Sequence, residues 1–159
     1  MSTESYLDLL EQSLRKKRKV LDRIQQKSME QHELLQDPNL DPDIFDQSVE
    51  EKASLIEELT LLDQGFEQTY LRIKAELEGH KEEYKEQIKT LQNLIADVIA
   101  RSTSIQTQEA RNKDLAQQKF ASVRKQVREV KASQKAVNNY YQSMMGTGAV
   151  EAQFMDNKK

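Results

Sequence analysis

Two histidines, three adjacent glutamate pairs and one run of five cations are the side chains of this 159-residue chain whose types and spacing could support chemistry. His32 and His80 fall in no His-x-x-x-His or Glu-x-x-His pairing, so both read as solvated polar residues rather than metal ligands. The pairs Glu50-Glu51, Glu57-Glu58 and Glu82-Glu83 are neighbours in sequence, and neighbours splay apart on a helix instead of converging on a substrate. The glycines are scattered, which leaves no phosphate-cradling loop, and the absence of cysteine excludes a thiolate nucleophile or ligand. No catalytic residue, metal or cofactor is therefore expected, and the chain does not read as an enzyme. The run Arg15-Lys16-Lys17-Arg18-Lys19 has the charge of a nucleic-acid, membrane or nuclear-address signal. Five consecutive helical positions spread around the whole circumference, however, and no aromatic residue is interleaved, so nucleic acid is not an expected partner.

The other candidate for function is apolar. Ala116, Phe120, Val123, Val127, Val130, Val137 and Tyr141 recur at steps of three, four or seven, which places them on one face of a helix. If the chain doubles back at Gly79, position 42 faces roughly position 116, and everything after Ala116 overhangs with its stripe uncovered. Such a face wants a partner, either another protein or a second copy of the chain as a homodimer. The net charge of -3 conceals a gradient along the sequence. From Asp41 to Gln87 there are 14 acidic and 5 basic residues, and from Arg101 to Val137 there are 3 acidic and 9 basic. That gradient serves complementary packing and solubility, or a charged docking face on the overhang.

These residues must be positioned by helices. The expectation is an all-α fold: an elongated antiparallel three-helix bundle or coiled coil with a long C-terminal helix. Its single domain covers residues 1–142, with helices at about 3–35, 42–78 and 81–142, followed by a flexible tail over 143–159. Ser2, Thr3 or Ser5 can cap the first helix, whose seam is Leu7, Leu10, Leu14, Leu21, Ile24 and Leu35, interrupted by Lys17 and Gln31. Pro38 breaks it, and Asp41-Pro42 supplies a cap and a first helical position for the next. The second stripe is Phe45, Leu55, Leu59, Leu62, Phe66, Tyr70, Ile73 and Leu77, with Gly65 inside it either for a close helix approach or by simple tolerance. Helix three begins with the seam Tyr84, Ile88, Leu91, Ile95, Val98 and Ile105. Its polar middle, Arg101 to Lys113, invites a kink. A straight helix to residue 142 would run about 80 to 90 Å at 1.5 Å per residue.

Composition agrees with a cytosolic, soluble protein. There is no cysteine, no basic leader followed by an apolar block, and no stretch near the roughly 20 apolar residues of a membrane span.

The segment Glu51-Lys52-Ala53-Ser54-Leu55-Ile56-Glu57-Glu58-Leu59, followed by Leu62-Asp63-Gln64-Gly65-Phe66, resembles the central helix of FlgN-type flagellar export chaperones. Ile88-x-x-Leu91-x-x-Leu94-Ile95, Glu109-x-x-Asn112-x-x-Leu115 and the ending from Tyr140-Tyr141 to Lys159 are similar to the same family. The resemblance spans nearly the whole chain. It implies a cytosolic, non-enzymatic helper that holds hook-associated proteins, the hook-filament junction components, and delivers them to the flagellar type III export apparatus. It assigns client binding to the stripe Phe120, Val123, Val127, Val130 and Val137, and docking at the export gate to Tyr140 or Tyr141. The competing reading is a self-associating structural coiled coil, such as an adaptor or a secretion-stalk component.

Overall fold

A computed structural model describes residues 2–121, 131–132 and 135–140 of the chain. Three long helices carry the fold: α1 over Thr3–Gln36, α2 over Pro42–Gly79 and α3 over Lys85–Lys119. No strand occurs among the described residues. Each helix end follows from local chemistry. The Ser2 side chain accepts the Ser5 amide at 3.2 Å and caps α1, with Glu4 in the first turn facing the positive end of the helix dipole. Asp37 closes α1 and accepts the Asn39 amide at 2.9 Å, bending the chain into Pro38. Asp41 then caps α2 through the Asp43 amide at 2.9 Å, with Pro42 at a position where a missing amide hydrogen costs nothing.

Side-chain pairs fix the register. Lys17 meets Asp63 and Gln31 meets Ser48, so α1 and α2 run antiparallel; Arg18 meets Asp97 and Ser28 meets Glu109, so α1 and α3 run parallel. Helix α1 packs on both others, while the Cα atoms of α2 and α3 nowhere approach within 8 Å. A lengthwise gap therefore separates α2 from α3. Where they meet, long side chains or the end of the bundle span it, as in the Phe45–Phe120 ring pair at 5.4 Å.

The apolar core is divided into three clusters. Leu7, Leu10, Leu14, Phe66, Tyr70, Ile73, Leu77 and the α3 start from Tyr84 to Ile95 form a proximal cluster. Val20, Leu21, Ile24, Leu55, Leu59, Val98 and Ile105 form a central one, and Leu35, Phe45, Ala116 and Phe120 a distal one.

The structure changes or settles three expectations. Helix α3 stops at Lys119, with Phe120 as its C-cap donating its amide to Ala116 at 2.8 Å, instead of continuing to 142. The gain that ends it is tertiary: Phe120 is buried against Phe45 at the end of the bundle, an aromatic pair adding about 0.5 to 1.5 kcal/mol beyond its area. The polar middle of α3 lies within one unbroken helix and is not solvated throughout: Gln108, Glu109 and Asn112 face inward as part of the core. Gly65 is exposed, and a Cβ added there would meet nothing within 4 Å, so tolerance rather than a close approach explains it.

Candidate functional site: the C-terminal segment and the groove between the second and third helices

Residues 135–140 are helical, and the outward stripe expected of an overhang is not what they present. Val137 is 2% exposed and Tyr140 5%. Tyr140 belongs to the central cluster, beside residues of all three helices: Val20, Leu21 and Ile24 of α1, Leu55 and Leu59 of α2, Val98 and Ile105 of α3. Phe120 lies at the distal end, so by Tyr140 the chain has come back along the bundle. Tyr140 thus packs against both helices that flank the gap between α2 and α3. Burying an aliphatic side chain is worth about 1.5 to 3 kcal/mol, which is the reason a stripe with this spacing folds onto its own bundle when a groove is open to it.

Of the residues singled out for the stripe, the structure brings Phe120 and Val137 into the interior, together with Tyr140 from the docking pair. Val123, Val127, Val130 and Tyr141, and the tail 143–159, lie outside the described residues. The overhang itself is corrected: its two described apolar members are covered, because the groove along α2 and α3 offers them more burial than solvent does.

Sequence reasoning missed the most distinctive side chains of the interior. At the level between the central and distal clusters, every buried residue of all three helices is polar: Ser28 and Gln31 of α1, Ser48 and Lys52 of α2, Gln108, Glu109 and Asn112 of α3. Lys52 Nζ donates to Glu109 Oε1 and Oε2, both at 2.8 Å, and to Gln31 Oε1 at 2.6 Å. Gln31 Nε2 donates to Ser48 Oγ at 3.0 Å, which donates to the Phe45 carbonyl at 2.6 Å. Ser28 Oγ donates to Glu109, Asn112 Nδ2 to the Ser28 carbonyl at 2.7 Å, and Gln108 Nε2 to Asn112 Oδ1 at 3.0 Å. Burial holds the Lys52 ammonium below the ordinary lysine range, opposed by the charge and the hydrogen bonds of Glu109.

A second buried pair, Lys17 Nζ to Asp63 Oδ1 at 2.7 Å, sits between the proximal and central clusters. These two pairs explain the apparent breaks in the first seam. Lys17 and Gln31 stand at core positions because each has a partner across the interface, and a buried charge is tolerated when paired and hydrogen-bonded. The signal was available: Lys52 is seven residues after Phe45 and three before Leu55, while Glu109 is four after Ile105 and seven before Ala116, all stripe spacings.

Other charges form lateral bridges. Arg101 pairs with Asp22 at 2.7 Å and Asp97 at 2.5 Å, and Lys27 with Glu51 at 2.6 Å. The basic run of α1 is dispersed among them: Arg15 on Glu11, Lys17 on Asp63, Arg18 on Asp97. It forms no continuous cationic face. No described helix is long and apolar enough to cross a membrane, and no group of three or more His, Cys, Asp or Glu among the described residues could hold a metal ion.

The class so defined is an all-α bundle whose buried ionisable groups are structural layers and whose last described segment occupies a groove between two helices. The family model described as FlgN protein matches residues 1–145, and the chain belongs to that family of flagellar export chaperones. No curated protein and no solved structure matches the chain. The stretches that carry the family resemblance contain Lys52, Asp63, Glu109 and Asn112, the residues that build the two ionic layers.

Proposed function

We propose that the chain holds the helical terminus of a flagellar hook-associated protein in the cytosol and delivers it to the type III export apparatus. The observation that carries this reading is the family match over residues 1–145, which includes the stripe and both tyrosines. The stripe Phe120, Val123, Val127, Val130 and Val137 is the surface proposed for the client, and Tyr140 or Tyr141 the contact proposed for the export gate. The burial of Phe120, Val137 and Tyr140 gives this reading a condition: the segment leaves its groove before these side chains meet a partner. An amphipathic helix recognised through a few apolar anchors suits such an exchange, since one helix in a groove replaces another with similar contacts.

Affinity purification of the tagged chain from its native cytosol tests the proposal. Recovery of a hook-associated protein, lost when Val123, Val127 and Val130 are changed together to Ser, supports it. Recovery of further copies of the chain alone overturns it in favour of a self-associating coiled coil.

A further inference from the structure

We propose that the Lys52–Glu109 layer divides the bundle into two units that open separately, the distal one first. This opening does not rest on the chaperone reading.

The two ionic layers differ in completeness. At the level of Lys17 and Asp63 the third helix still contributes Leu94, Ile95 and Val98, all at most 5% exposed, so apolar packing runs past the pair without interruption along α3. At the level of Lys52 and Glu109 there is no such continuity. Between Ile24 and Leu35 of α1, between Leu55 and Phe45 of α2, and between Ile105 and Ala116 of α3, each buried residue is polar. Among the described residues, the distal cluster beyond it has four buried side chains, against twelve in the proximal one. Apolar cohesion is what makes a core open as a whole. A full polar layer replaces it with directional bonds, whose loss is partly offset when water rehydrates the ions, so the boundary between opening units falls there.

The distal unit also holds the point from which the chain comes back. Phe120 caps α3 and packs on Phe45, and Lys119 Nζ donates to the Asp37 carbonyl beside it.

The chain has no cysteine, so single thiols report opening directly. Ala116→Cys places one in the distal cluster and Val98→Cys one in the central cluster; both sites are at most 1% exposed. With an excess of 5,5'-dithiobis(2-nitrobenzoate), the thiol at 116 is expected to react about tenfold or more faster than that at 98. Replacing the layer by Lys52→Met with Glu109→Leu should slow it to the rate at 98. Equal rates at 116 and 98 in the otherwise unaltered protein overturn the separate unit. Amide exchange of the unaltered full chain, read by mass spectrometry, gives the same answer without substitution: residues 29–36, 43–52 and 109–119 should lose protection together and before residues 7–24, 55–77 and 88–105. Uniform protection across both sets refutes the division. A failed client purification leaves these outcomes untouched, and so separates this proposal from the chaperone reading.

Discussion

Lys52→Met strips the charge partner from Glu109 while keeping a side chain of similar length. Glu109 is 3% exposed, and the donor it then retains is the Ser28 hydroxyl. An uncompensated buried carboxylate of this kind costs about 3 to 5 kcal/mol, a large share of a total stability on the order of 5 to 15 kcal/mol. Glu109→Leu alone strands the Lys52 ammonium with Gln31 as its acceptor and should cost a similar amount. The double substitution removes both charges, and its expense reduces to the unmet Gln31 carbonyl and the displaced Ser28 hydroxyl, about 1 to 3 kcal/mol, offset by new apolar contact with the neighbouring clusters. Hence the double variant should be more stable than either single one by at least about 2 kcal/mol, a coupling of the size found for side chains in one network. Urea unfolding followed by far-ultraviolet circular dichroism measures all four proteins, and equal slopes with shifted midpoints identify the change as stability. If the single changes cost less than about 1 kcal/mol, or if the double cost equals their sum, the layer is not a desolvated ion pair.

Gly65→Ala should stabilise the protein by about 0.5 to 1 kcal/mol in the same urea assay, since the site is exposed, helical and free of neighbours for the added methyl; a loss of stability would show that something crowds it. Phe120→Ala should cost about 3 to 5 kcal/mol by removing the ring from the distal cluster, and thermal unfolding will register no change if the ring is in fact solvated. Acid should weaken the fold: the hydrogen bond from Lys27 holds the Glu51 carboxyl below its ordinary range, and the bond from Arg18, followed by Arg101, does so for Asp97. A depressed folded pKa gives stability that is present above the unfolded value near pH 4 and is lost as pH falls through the folded one, so the thermal midpoint should drop as pH falls below about 4. Asp97→Asn with Glu51→Gln should flatten that limb; an unchanged acid limb assigns it to other carboxylates.

The helical architecture was legible because three apolar stripes have a period near 3.6 and the first break holds both prolines. What the sequence hid was partnership across helices. Lys17, Gln31 and the polar run of α3 look like interruptions when each helix is read alone, and become core positions once the register sets Lys17 against Asp63 and Lys52 against Glu109. That register depends on contacts 46 and 57 residues apart, beyond the reach of any local window. The end of α3 was hidden for a related reason. Neither glycine nor proline marks Phe120, and the helix ends where a ring on another helix offers burial, a tertiary gain that overrides local propensity.

The composition of the returning segment bears on the proposed exchange with a client. Val137 and Tyr140 are its two buried side chains among the described residues, and full burial of such groups yields about 1.5 to 3 kcal/mol each before the cost of ordering the segment. Ordering removes on the order of 1 to 2 kcal/mol per residue fixed, so the net hold on a short segment is small. A gap of a few kcal/mol leaves the released form at roughly 0.1 to 10% of the population, enough to be found by a client and scarce enough to keep the stripe from aggregating. The closed form also lowers the apparent client affinity by the same fraction, which favours surrender of the client at the export apparatus. Val137→Ser should therefore have two separable effects: a larger released fraction, seen as faster amide exchange of residues 135–140, and a weaker grip on the client once released. A chaperone held shut by larger apolar residues would gain neither, because its stripe would be protected but unavailable.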